Sequence, residues 1–110
     1  MKMIELFNEI WEERQHVSSI SGHPLFNKGH FLWHNQFSHT LPKSIYKRYA
    51  KEKFNIVLML PSEHKFYEHF TEKDKLNPLY LDHQPQWDAL FELADILSQR
   101  YHREKRNSIL

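Results

Sequence analysis

Asn55-Ile56-Val57-Leu58-Met59-Leu60-Pro61-Ser62-Glu63-His64 decides how the rest of the chain is read. The unbroken apolar run from Ile56 to Leu60, opened by Asn55 and closed by Pro61, predicts a strand buried on both faces or packed under a helix. Pro61 has the φ that a first helical position needs, and Ser62 and Glu63 follow it. A helix is therefore expected from Pro61 to about Phe70. Upstream, Phe31, Trp33 and Phe37 alternate enough to predict a short hairpin over 31–40, bent near Asn35-Gln36. Pro42 then breaks the chain, and Lys43–Ala50 has the length of a short helix or turn with Ile45, Tyr46 and Tyr49 pointing inward.

Further out the pattern becomes helical. Ile4, Phe7, Ile10 and Trp11 recur at helical spacing and predict an amphipathic helix over 2–16. Gly22 and Pro24 mark a turn, and 25–29 reads as loop. The polar stretch 71–81, with Asn77-Pro78 inside it, also reads as loop. Trp87, Leu90, Phe91, Ala94, Leu97 and Tyr101 form one stripe and predict a long helix from Pro85 to about Arg103, its apolar side serving as core or as a dimer seam. The expectation is a single α+β domain over 1–110, with a core unit at about 20–70 and a C-terminal helix at about 85–105.

Composition narrows the function classes. There is no cysteine in the chain, which excludes disulfides and thiolate zinc sites and fits a reducing cytosol. No run of 18 or more apolar residues occurs, and Glu5 comes too early for a signal peptide, so a soluble cytoplasmic protein with no membrane partner is expected. The formal net charge is only +1, yet Lys43, Lys47, Arg48, Lys51 and Lys53 stand against Glu52 alone. Arg100, Arg103, Lys105 and Arg106 form a second cluster opposed there by Glu104. Such local excess suits either a phosphate-contacting face or a solvated helix face. Trp11, Phe31, Trp33, Phe37 and Trp87 read as core sooner than as a base-stacking platform, because stacking on nucleic acid needs exposed rings.

The chemistry lies in three residues. His39 sits in Phe37-Ser38-His39-Thr40-Leu41-Pro42-Lys43-Ser44, sixteen positions before Asn55, and Asn55 stands nine positions before His64. A histidine at a strand end, an asparagine opening the next strand and a histidine in the following helix can converge on one phosphate. In this order and context the chain resembles the HNH endonuclease superfamily, the ββα-metal nucleases, and most of all short phage-type members with a His-x-Leu-Pro-Lys-Ser stretch. The matching residues are His39, Leu41, Pro42, Lys43, Ser44, Tyr46, Asn55 to Leu58 and His64, within about 20–69.

The resemblance implies a phage-encoded DNA endonuclease, acting in a bacterial host, that uses a divalent metal, Mg²⁺ or Mn²⁺. His39 would be the general base, since a neutral imidazole near pH 7 suits that task. Asn55 would orient the hairpin and His39, and His64 would bind the metal. Glu68, four residues after His64 on the same helical face, is a second oxygen ligand. Lys43, Lys47, Arg48 and Lys51 would hold the DNA backbone. Two departures from the family stand out. Ser38 occupies the place where many members carry a metal-binding Asp or His, with His34 as a replacement ligand. The paired cysteines of a zinc knuckle are replaced by Ser18 and Ser21, and by Leu60 and Glu63, so no structural zinc is expected. The alternatives are a catalytically degenerate HNH-like module that binds nucleic acid or protein, and a homodimer formed through the last helix.

Overall fold

A computed structural model describes residues 1–109. Helix α1, Met3–Glu13, forms because Leu6, Ile10 and Trp11 fall on one buried stripe. It stops at Arg14, whose backbone turns extended. The Arg14 guanidinium donates to Ile56 O at 2.6 Å and Lys53 O at 2.8 Å, which ties the end of α1 to the second strand.

Strand β1, Phe37–His39, pairs antiparallel with β2, Ile56–Leu58, in the register Phe37 with Leu58, Ser38 with Val57 and His39 with Ile56. One further bond extends the ladder at each end: Thr40 N to Asn55 O and Met59 N to Gln36 O. Helix α2, Pro61–Glu68, follows directly, so the central unit is strand, strand, helix. The hairpin expected inside 31–40 does not form. Successive tight turns (His30 N to Asn27 O, Trp33 N to His30 O, Asn35 N to Leu32 O) wind that segment into a 3₁₀ turn over Trp33–Gln36. The partner of Phe37–His39 instead comes from across the whole 40–55 loop. Asn55 itself lies in a 3₁₀ turn, Lys53–Asn55, and does not begin the strand.

The 40s loop contains a 3₁₀ turn at Lys47–Tyr49. Tyr49 is buried there as expected, but Ile45 is 67% exposed and faces solvent. Nor is 71–81 a loop. Asp74 accepts from both Thr71 N and Thr71 Oγ1 and starts a 3₁₀ turn over Glu72–Leu76. Asn77 Oδ1 caps Leu79 N to start α3, Pro78–Leu81, with Pro78 at the first helical position. Asn77-Pro78 was thus a helix-start signal. The long helix α4 spans Gln84–Ile109, and the molecule is α+β.

Three apolar clusters hold these parts. Leu6, Ile10, Trp11, Leu25, Trp33, Phe37, Ile56 and Leu58 join α1 to the sheet. Ile20, Met59, Tyr80, Trp87 and Leu90 join α4 to α3 and the end of β2. Leu41, Tyr49, Leu97 and Tyr101 pack the 40s loop on α4. The stripe on α4 is therefore spent within the chain. Among the described residues no helix is long and apolar enough to cross a membrane.

The segments around Ser18 and Glu63, distant in sequence, meet through hydrogen bonds. Ser18 Oγ donates to Glu63 Oε1 at 2.6 Å and accepts from Ile20 N and Ser21 N, while Glu63 Oε1 also accepts from Leu60 N at 2.7 Å. Both side chains are buried. Ser18→Ala removes the hydroxyl that serves all three partners, so it should cost about 2 kcal/mol of stability, read as a lower urea midpoint at unchanged slope. The exposed neighbour substitution Ser19→Ala should move stability by less than about 0.5 kcal/mol.

Candidate active site

Strand alternation sorts the residues of β1. Phe37 and His39 face a cavity of about 700 Å³, while Ser38 is buried away from it and does not line it. Ser38 is thereby removed as a ligand even of the weak kind. The 3₁₀ turn before β1 brings His34 and Asn35 to one wall, the start of the 40s loop brings Pro42, Lys43 and Ser44, and α2 brings His64, Tyr67 and Glu68. The two histidines that carry the sequence motif thus open onto one space.

His39 Nε2 donates to Ala50 O at 2.8 Å, which leaves Nδ1 as the acceptor of the ring. Its pKa lies below the ordinary histidine value. Burial is the main cause, the bond to Ala50 opposes it, and the charges of Lys43 and His64 push it lower still. A neutral imidazole with one free lone pair is what a general base requires near neutral pH.

His64 Nδ1 lies 2.7 Å from Asn35 O, and Nε2 lies 2.8 Å from Glu68 Oε1. Donation from Nδ1 to the carbonyl fixes the tautomer and turns the Nε2 lone pair toward the carboxylate. The Nε2–Glu68 contact closes as a hydrogen bond when the ring is protonated. When it is neutral, one nitrogen and one carboxylate oxygen form a two-donor set for a cation. No cluster of three or more His, Asp or Glu ligands exists among the described residues. That donor set fits a magnesium-like ion, which keeps several waters and takes its remaining oxygens from substrate phosphate. It does not fit a closed four-ligand zinc cage.

Asn55 plays a different part from a reacting group. It is fully buried, does not line the cavity and spends its amide on the backbone: Oδ1 accepts from Leu41 N at 2.8 Å, and Nδ2 donates to Leu41 O at 3.1 Å and Tyr49 O at 3.2 Å. Tyr49 precedes Ala50, whose carbonyl holds His39. Asn55 is a positioning residue acting through the loop.

The basic residues divide. Of the four expected to hold a backbone, Lys43 lines the cavity, whereas Lys47 and Lys51 are exposed away from it. Arg48 is engaged with α4: it donates to Tyr101 O at 3.0 Å, pairs with Glu104 at 3.8 Å and lies 4.5 Å over the Tyr101 ring. Lys53 pairs with Glu9 and Glu13 of α1. Arg100 of the second cluster bonds Glu104 and covers Phe54. A sequence count of like charges cannot see these internal partners. Tyr67 and Thr40 were missed. The Tyr67 hydroxyl donates to Thr40 O at 2.6 Å, and burial pushes its pKa up to about 12. Thr40 lines the cavity with its own buried Oγ1 unpartnered. The position of Tyr67, one helical turn beyond His64, is the signal that was available.

No family model matches this chain, and no curated protein and no solved structure matches it significantly.

Asn55→Ala strands Leu41 N, Leu41 O and Tyr49 O together and should cost about 3 kcal/mol in denaturant unfolding. It should also loosen the Ala50 anchor, and because that bond is what holds the His39 pKa up against burial, the value followed by NMR titration should fall further below the ordinary histidine value.

Proposed function

We propose that this protein is an HNH-like, metal-dependent endonuclease that hydrolyses DNA phosphodiester bonds. The observation that carries the proposal is the convergence of His39, His64, Glu68 and Lys43 on one cavity of a strand-strand-helix unit. Neutral His39, anchored through Nε2, accepts a proton at Nδ1 from a water that attacks phosphorus. His64 and Glu68 would hold the divalent ion, Mg²⁺ or Mn²⁺, which when bound supplies charge stabilisation to the phosphate and the leaving oxygen. Lys43 steadies the phosphate by charge from the loop side. Asn55 keeps the loop, and hence His39, in register.

The lack of cysteine suits a protein meeting DNA in a reducing cytoplasm, and a phage-encoded enzyme acting in a bacterial host belongs to the same proposal. The degenerate binding-module alternative draws on the two-donor metal set and on Ser38, which leaves the usual third ligand missing. A homodimer has less behind it, because the α4 stripe is already covered within the chain.

The test is nicking of supercoiled plasmid with Mg²⁺ or Mn²⁺. His39→Ala should lower the rate by roughly 10²- to 10⁴-fold, and undiminished nicking would remove His39 from the reaction. His64→Ala should raise the metal concentration needed for half-maximal rate. Steep, salt-dependent DNA binding with no cleavage under either metal selects the binding module.

The pH profile should follow His39. The rate climbs as the ring loses its proton, with the midpoint below the ordinary histidine value of about 6.5. Folding carries the same sign. The lowered pKa favours the fold fully above the unfolded value, and that contribution is lost as pH falls toward the folded one. A rate limb centred above the ordinary value would contradict the role given to His39.

A further inference from the structure

Four of the five large aromatics that the sequence suggested as core or stacking surface are buried, but Phe31 is 81% exposed. It is not a loose side chain. Its ring stacks on His30 with centroids 4.7 Å apart and planes within 22°, and His30 stacks on Phe26 at 4.2 Å and 13°. The base of this ladder is held by Gln36, whose fully buried amide accepts from Phe26 N at 2.6 Å and donates to Phe26 O at 3.0 Å. The middle ring is set by Leu32 N donating to His30 Nδ1 at 3.1 Å and by the His30 N to Asn27 O turn. Three parallel rings therefore end on one open aromatic face.

That face lies on the segment that walls the cavity. His34 and Asn35, which follow Phe31 closely in the chain, line the cavity, and Asn35 O holds His64. Three residues span at most about 10 Å between Cα atoms, a reach of a few nucleotides along a strand. Lys28, on the same turn, and Lys43, across the cavity, add the positive charge that a polyanion seeks.

We propose that Phe31 is the outer plate of a base-stacking platform that receives an unpaired nucleobase of the strand whose phosphate enters the His39–His64 cavity. The proposal rests on the nuclease reading above and names its substrate class: single-stranded or locally opened nucleic acid. A base inside an intact duplex already has both faces covered, so the platform has nothing to stack on until pairing is lost.

The experiment measures binding of fluorescently labelled oligothymidylate, and of a duplex of the same length, by fluorescence anisotropy without metal. It uses the whole protein and its Phe31→Ala and Phe31→Trp variants. Because the ring is exposed, neither substitution threatens folding. Phe31→Ala should weaken oligothymidylate binding by roughly 5- to 150-fold and leave duplex binding nearly unchanged, while Phe31→Trp keeps parental affinity. Equal binding by parent and Phe31→Ala, or equal loss for oligonucleotide and duplex, overturns the platform. Cleavage assays run in parallel separate the two ideas. A parent that cleaves single strands with a KM unmoved by Phe31→Ala sinks the platform and spares the nuclease. A parent that cleaves nothing with Mg²⁺ or Mn²⁺ yet binds single strands through Phe31 sinks the nuclease and spares the platform.

Discussion

A primary amide carries two donors and two acceptor lone pairs, and Asn55 spends its bonds on the backbone of Leu41 and Tyr49, buried out of water. These bonds close the long loop that separates the two strands. Without them, Leu41 and Tyr49 would expose unpaired backbone groups inside the molecule, which is costly. The loop in turn carries Ala50, whose carbonyl orients His39, and Thr40, whose carbonyl receives Tyr67 from α2. The sheet, the loop and the helix meet at this amide, so the geometry of the cavity depends on it.

Helix α4 supports the same loop from outside. Leu97 and Tyr101 pack on Leu41 and Tyr49, the Tyr49 hydroxyl donates to Glu104 at 2.9 Å, and Tyr46 bonds Ser98 at 3.0 Å. Arg48 adds a bond to Tyr101 O. Tyr46, Tyr49 and Arg48 are the means by which the loop is stood upright on the helix. Lys43 precedes this docked stretch and remains at the cavity that His39 and His64 also line. Exposed ion pairs here add little energy; the buried ring contacts do more to hold the geometry.

The Ser18–Glu63 pair joins two segments of a small fold through buried polar groups. A carboxyl group that caps Leu60 N at the start of α2 also takes the Ser18 hydroxyl, and Ser18 gathers Ile20 N and Ser21 N. Two chain segments distant in sequence are joined by polar groups that satisfy one another, which is the condition for burying them. Ile20 and Met59 beside them extend into the cluster around Trp87, so apolar packing surrounds the polar joint.

Local patterning determined a good deal by itself: the stripes that became α1 and α4, Pro61 opening α2, the buried run at Ile56–Leu58, and the one-turn spacing that sets Glu68 beside His64. These are properties of neighbouring residues, readable from periodicity and from where proline fits. Strand pairing was not local. Phe37–His39 could not reveal that its partner lay beyond the loop, and the aromatic alternation before it belonged to a 3₁₀ turn, because cross-strand hydrogen bonds form between segments whose distance in sequence carries no signal. Asn77-Pro78 has the residues of a helix start, with Asn77 capping Leu79 N and Pro78 at the first helical position, although its polar surroundings read as loop. Only the tertiary structure decided that His39 and His64 open onto one cavity, that Asn55 holds backbone and not substrate, that Arg48 is consumed by α4, and that Phe31 alone of its set stays in water. Burial and the identity of a side chain's partner are set by the packing of the whole chain, and no residue carries them on its own.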